Sequence, residues 1–276
     1  MARSLGNLRD TLRILRHRFD RRPASYPKLP WLAWIAMVAA LTAFGAFFLD
    51  DLAGRQVRDL PQIIETLANV FTVLGLGQWY LLPPLAWLLV ANQIDWRGLS
   101  RERLAAAYNR TCLAFFILAA VGLPGLAANL VKLVVGRARP PLFAELGAFS
   151  FHPFRAGYMY VSFPSGHATT MGSLAAVLML LFPRAKYALL ALCACIASTR
   201  VFVGAHYPSD TIAGFGLGFG LALLVALVFA RLGFLFRSGA AGLPVLRETL
   251  WAHRPGKAVY SRAPASGARN GTRSLS

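Results

Sequence analysis

Three clusters of polar residues interrupt an otherwise apolar chain, and their residue types suit nucleophilic chemistry on an anion. In chain order they are Lys132-x6-Arg139-Pro140, Pro164-Ser165-Gly166-His167 and Thr199-Arg200-x5-His206-x3-Asp210. In the third, Asp210 can accept a hydrogen bond from one nitrogen of His206, which leaves the other unprotonated and nucleophilic. The bland alternative is that Asp210 caps the apolar run beginning at Thr211. Arg200 falls within an apolar run, where an arginine costs about 2.5–3.5 kcal/mol on insertion scales. It therefore requires a partner or a water-filled site.

The second cluster stands at the start of an apolar run, where free backbone amides and the helix dipole favour an anion. Gly166 permits close backbone approach and Ser165 adds a hydroxyl donor. An ordinary N-cap for Ser165 and an interfacial, hydrogen-bonded histidine for His167 are the competing readings. In the first cluster, seven residues at about 100° each bring Lys132 and Arg139 onto one helical face if the helix continues. Arg137, about 200° round the same helix, would face elsewhere. Lys132 by itself could be a lysine snorkelling to an interface. The charges favour a single site: Lys132, Arg139 and Arg200 against Asp210 leave an excess of about two, which a phosphate monoester neutralises in a low-dielectric setting. A metal held by His167, His206 and Asp210 is the rival, and three neighbouring cations oppose it.

The elements that must position these clusters are membrane spans. Of the 276 residues 57% are hydrophobic and only 14% charged, with a mean hydropathy of +0.52. A soluble domain carries roughly 25% charged residues. Apolar stretches of about 20 residues, the length that crosses a bilayer as a helix, recur along the chain. The reading is an all-α polytopic protein with six transmembrane helices. The spans fall at about 31–49, 70–90, 111–135, 168–182, 187–203 and 211–236, the first a retained signal anchor. Pro83 and Pro84 should kink the second, and a short interfacial helix is expected within 50–67. A basic loop at 92–110 and a polar excursion at 136–167 separate spans. Residues 1–30, with eight basic side chains, and 238–276, rich in Ser, Ala, Gly and Arg, read as tails around a membrane domain at 31–237, the second tail disordered. Gly214, Gly216, Gly218 and Gly220 form small-xxx-small pairs that suit close packing within the bundle better than a dimer seam.

The net charge of +18 lies in tails and loops without aromatic interleaving, which argues against nucleic acid. Cys112, Cys193 and Cys195 are odd in number and sit in apolar runs, so they read as packers rather than disulfides or metal ligands.

Together the three clusters resemble the type 2 phosphatidic acid phosphatase family, whose signature is Lys-x6-Arg-Pro, Pro-Ser-Gly-His and Ser-Arg-x5-His-x3-Asp. All three parts occur in order across residues 132–210, with Thr199 in place of the family's Ser, which keeps a hydroxyl. The resemblance implies six helices around a metal-independent, cofactor-free phosphatase working through a phosphohistidine. It implies His206 as nucleophile, Asp210 as its orienting partner and His167 as the proton donor to the leaving oxygen. Lys132, Arg139, Ser165, Gly166 and Arg200 would hold the phosphoryl oxygens. Vanadium haloperoxidases share the signature but are soluble, which the spans argue against.

The expected substrate is a membrane lipid carrying a phosphomonoester or pyrophosphate. Lipid A 1-phosphate, phosphatidylglycerophosphate, undecaprenyl pyrophosphate and phosphatidic acid all qualify. A phosphotransferase using the same intermediate, or a membrane protein that only binds phospholipid, are the alternatives; two retained histidines speak against the second. The heavy use of Arg, Ala and Gly suggests a bacterial inner membrane. With the basic segments inside, both termini are cytoplasmic and the three clusters extracytoplasmic. An Ala156→Cys variant should then react with a membrane-impermeant thiol reagent in intact spheroplasts, and Ser238→Cys only after lysis. The reverse pattern inverts the topology.

Overall fold

A computed structural model of the chain describes residues 30–56, 60–155, 157–239 and 243–247, with a few positions between 13 and 20. Most of the expected tail at 1–30, residues 240–242 and 248–276 of the tail expected at 238–276, and Ala156 lie outside the described residues. Six helical rods make up the body. We number them α1 (Trp31–Gln56), α2 (Gln62–Ala91), α3 (Arg101–Val135), α4 (Gly166–Leu181), α5 (Lys186–Phe202) and α6 (Pro208–Leu232). Among the described residues, five helices are long and apolar enough to cross a bilayer, α5 when counted with the 3-10 turn before it from Pro183; α4, at 16 residues, is shorter. At about 1.5 Å per residue it spans roughly 24 Å. It starts at Ser165, which is fully buried, and not at a surface.

Several boundaries differ from the sequence expectation. The helix expected within 50–67 is met in part by Gln62–Thr72, which is apolar on one face; residues 57–59 lie outside the described residues. Asp50–Gln56 extends the first helix through a π-helical turn at Gly45–Leu49, and Gln62–Thr72 leads into the second. The second rod stays helical through Pro83 and Pro84 and is interrupted instead at a 3-10 turn, Val73–Gly75. The third begins at Arg101 behind the Ser100 N-cap, so most of the basic 92–110 loop is helix. That rod is 35 residues long, roughly 52 Å, and its basic first turns extend beyond a hydrocarbon core of about 30 Å. After α6 the chain forms a small antiparallel hairpin, Phe236–Ser238 with Pro244–Leu246. The fold is therefore not purely helical, and the hairpin straddles the expected boundary at 237/238. Phe236 is fully buried against Phe116 of α3, which gives this start of the tail a place in the core.

Helices α4 and α6 pack most closely, because small residues let their backbones meet. A Cβ on Gly218 would lie 2.0 Å from the Thr169 carbonyl oxygen, and one on Gly214 would lie 2.4 Å from that of Ser165. On the other side of α6, Gly216 and Gly220 receive Val38 and Trp34 of α1. The glycine stripe is thus consumed inside the bundle, on both faces. Gly218→Ala should cost roughly 1–3 kcal/mol by overpacking. Gly125→Ala in α3, where a Cβ meets nothing within 4 Å, should gain up to about 1 kcal/mol from helix propensity. Thermal unfolding in detergent should show the two variants moving in opposite directions.

Candidate active site

The three clusters converge at one end of the bundle. α3 stops at Val135, and Gly136 adopts a left-handed conformation with φ 60°. A side chain there would also run into the His152 carbonyl oxygen. Lys132 and Arg139 are therefore not aligned along a continuing helix; the chain turns between them and still delivers both to the same place. Lys132 Nζ donates to the Val161 carbonyl at 2.8 Å. Arg139 donates to the Ala205 carbonyl at 3.2 Å and its guanidinium lies 3.8 Å from the Tyr158 ring centroid. Burial works against the Arg139 charge and pulls its pKa below the ordinary arginine value. Arg200, at the end of α5, donates to the Thr72 hydroxyl at 2.9 Å. The Nε groups of Arg139 and Arg200 are buried without a hydrogen-bond partner. Two orphaned cationic donors in one place form a site suited to an anion.

Ser165 caps α4, its hydroxyl accepting from the Ala168 amide at 3.4 Å. That leaves the hydroxyl hydrogen to donate elsewhere, so the N-cap and anion-binding readings are compatible. Gly166 sits beside Lys132: a Cβ on it would be 3.8 Å from Lys132 Cε. His167 lies in the field of Arg200, His206, Lys132 and Arg139 and packs against the backbone at Gly75. Thr199 spends its hydroxyl on the Ile196 carbonyl of its own helix.

His206 and Asp210 flank the start of α6. The N-cap is Tyr207 and not Asp210: Asp210 is the third helical residue, and its carboxylate reaches back to accept from the Tyr207 amide at 2.9 Å, as in a capping box. It also accepts from Ser162 Oγ at 2.6 Å and from Arg137 Nη1 at 2.6 Å. The same oxygen that takes the Ser162 and Tyr207 bonds is 3.7 Å from His206 Nδ1. That is longer than a hydrogen bond. Among the described residues, no three His, Cys, Asp or Glu side chains gather as a metal ion would require.

Arg137 does not face away as helical spacing predicts. Because α3 ends before it, Arg137 turns inward and lies between Asp210 and Asp50. Sequence reasoning also passed over Asp50, Thr72, Tyr158, Ser162 and Ser209. For Asp50 a signal existed, since it is a carboxylate at the edge of an apolar run and calls for a partner as Arg200 does.

Comparison with known proteins agrees with the geometry. The PAP2 superfamily model matches residues 112–234. A lipid A 1-phosphatase of Rhizobium johnstonii is 35% identical over 235 residues, covering 85% of this chain and 95% of that one. A second, from Rhizobium etli, is 36% identical over 223 residues, covering 80% and 95%. The crystal structure of a transmembrane PAP2 type phosphatidylglycerolphosphate phosphatase from Bacillus subtilis aligns with a TM-score of 0.47. It is 21% identical and covers 71% of this chain and 91% of that one. The chain belongs to the PAP2 superfamily and is a multi-pass membrane phosphatase.

Burial in a cationic surround pushes the His206 pKa down from 6.5 to about 4, against the pull of Asp210. Between those values the unfolded chain takes a proton that the folded site refuses, so stability falls as pH drops from 6.5 towards 4. The full effect is roughly 3 kcal/mol at about 1.4 kcal/mol per pH unit. His206→Gln, which cannot titrate, should show a flatter dependence of Tm on pH across that window. An unchanged slope would mean that His206 is not held neutral by burial.

Proposed function

We propose that this chain is a lipid phosphatase that removes the phosphate from a lipid A 1-phosphate at the outer face of a bacterial inner membrane. The reaction is metal-independent and runs through a phosphohistidine at His206. The observation that carries the reading is the cationic cradle of Lys132, Arg139 and Arg200, with two buried unpartnered guanidinium N–H groups, beside two histidines. Charge balance there calls for a dianion. The lipid A 1-phosphatases that match along 95% of their length support the choice among the lipid phosphates considered.

In this mechanism the phosphoryl oxygens lie against Lys132, Arg139, Arg200, the Ser165 hydroxyl and the amides that open α4 at Gly166. Asp210 faces Nδ1 of His206, so Nδ1 carries the proton and Nε2 presents the lone pair. Nε2 attacks phosphorus while the bond to the lipid oxygen breaks, and His167 gives that oxygen a proton. Water activated by His167 then cleaves the phosphorus–nitrogen bond and releases inorganic phosphate. As charge spreads over the equatorial oxygens, the three cations hold it more tightly than in the ground state, and they supply the positive charge that many other phosphatases take from metal. The orientation supporting an outer-face reaction is the concentration of basic residues on the opposite side.

Purified protein in detergent, given lipid A, phosphatidylglycerophosphate, undecaprenyl pyrophosphate and phosphatidic acid with chelator present, should release inorganic phosphate and act fastest on lipid A. His206→Ala should form no trappable phosphoenzyme. In single-turnover phosphorylation, His167→Ala should lose roughly 10²–10⁴-fold on lipid and markedly less on p-nitrophenyl phosphate, whose leaving group needs little protonation. Metal-reversible loss of activity on chelation, or equal His167→Ala losses on both substrates, overturns the mechanism. Phosphate passed to a lipid hydroxyl instead of water would make the protein a phosphotransferase.

A further inference from the structure

Asp210 also belongs to a buried ion cluster whose other members, Asp50, Arg137 and Ser209, the proposed chemistry leaves unused. Asp50 and Asp210 are fully buried, Arg137 is 2% exposed and Ser209 1%. Arg137 Nη2 donates to Asp50 Oδ2 at 2.8 Å, and Nη1 donates to Asp210 Oδ1 at 2.6 Å and to Ser209 Oγ at 2.7 Å. Nε and Nη2 both donate to the Ala148 carbonyl. The guanidinium face lies 4.4 Å from the Tyr207 ring centroid. All three nitrogens and one face are thus engaged within the protein, in contrast to Arg139 and Arg200, whose Nε groups are unpartnered. Asp50 in turn accepts from the Ser209 amide at 3.0 Å and from the Ser209 hydroxyl.

We propose that Arg137, clamped between Asp50 and Asp210, is a positioning residue that fixes the rotation of the Asp210 carboxylate towards His206. The first helix enters the site through Asp50. This rests on the reading of His206 as nucleophile and Asp210 as its partner. By occupying Oδ1 of Asp210, Arg137 leaves Oδ2 as the oxygen that faces His206. Arg137 alone would also cancel the negative charge that steadies His206 as its ring becomes positive on phosphorylation. Asp50 restores that charge, so the three groups together carry −1. A planar guanidinium can bridge two carboxylates at once, whereas an ammonium acts as a single point charge. The first helix is shaped for this contact. Its π-helical turn, Gly45–Leu49, immediately precedes Asp50, and a Cβ on Gly45 would lie 3.3 Å from the Ser209 backbone. Irregular turns of this kind are frequent at functional sites.

The alternative is a staple that only holds α1 against α6, and a double-mutant cycle separates the two. Asp50→Asn, Arg137→Lys and Asp210→Asn are made singly and Asp50→Asn/Asp210→Asn together, in the full chain in detergent. For each, kcat and KM on the lipid and Ki for inorganic phosphate are measured per mole of monodisperse protein. Asp50→Asn and Arg137→Lys should lower kcat about 10–100-fold, with KM and the phosphate Ki within about twofold. In the Asp210→Asn background, Asp50→Asn should cost less than about twofold more. Losses that multiply in the double variant, or an unchanged kcat, overturn the clamp. A raised KM and phosphate Ki at unchanged kcat overturn it by placing Arg137 in the phosphate cradle. If Asp50→Asn is not monodisperse, Ser209→Ala goes through the same cycle, with a several-fold, non-multiplying loss expected and a multiplying one decisive against. A fully active Asp210→Asn overturns the assignment of Asp210, and the clamp with it. A multiplying loss with Asp210→Asn impaired overturns the clamp alone.

Discussion

The Asp210 carboxylate is the point to which the rest of the site is tied. Fully buried, it accepts from a guanidinium, a serine hydroxyl and the backbone amide of Tyr207, and one of its oxygens faces His206. Its own carbonyl receives the Ser165 amide at 3.0 Å, which links the first turn of α6 to the start of α4. A carboxylate in a low-dielectric interior is stable only while its partners stay in place. The loop at 137–162, the cap of α4 and the first turn of α6 are therefore fixed relative to one another by one residue, through its carboxylate and its main-chain carbonyl. Displacing the 137–162 loop would take Arg137 and Ser162 away from a buried charge.

Low dielectric acts in both directions around this anchor. Arg137 meets two carboxylates, and although burial opposes its charge, Asp210 and Asp50 outweigh that and raise its pKa. At the same end of the bundle, Lys132, Arg139 and Arg200 reach only carbonyl and hydroxyl oxygens among the hydrogen bonds they make. The protein thus keeps one satisfied and one unsatisfied group of cations in neighbouring volumes. The unsatisfied group has the strongest need for an anion, and under the proposed mechanism that need is met most fully when charge spreads in the transition state.

The apolar body serves this polar end. Glycines on two faces of α6 let α4 and α1 approach closely enough for their ends to share hydrogen bonds. Hydrophobic driving force between helices is weak in lipid, so close backbone packing and buried polar contacts must hold the bundle together. The same contacts that stabilise it also place Ser165, Asp50 and Asp210 within bonding distance of shared partners.

The membrane class, the approximate positions of the spans and the candidate residues of the proposed anion site were legible in the chain alone. Runs of about 20 apolar residues and costly charges inside them are local signals, readable without knowing what packs against what. The spacing of Lys132, Arg139, Ser165, Gly166, His167, Arg200, His206 and Asp210 belongs to the same category. Helix ends were less legible. The 92–110 loop reads as non-helical from its polarity, yet its second half opens the third helix, because helicity does not stop where hydrophobicity does. The groups behind Asp210 became visible only once the helices were packed. Asp50 and Arg137 are 87 residues apart, and Arg137 faces Asp50 only because Gly136 ends α3 one residue earlier. A buried ion pair between distant segments leaves no periodicity in the chain, since its partners are chosen by where helices end and pack, not by local spacing.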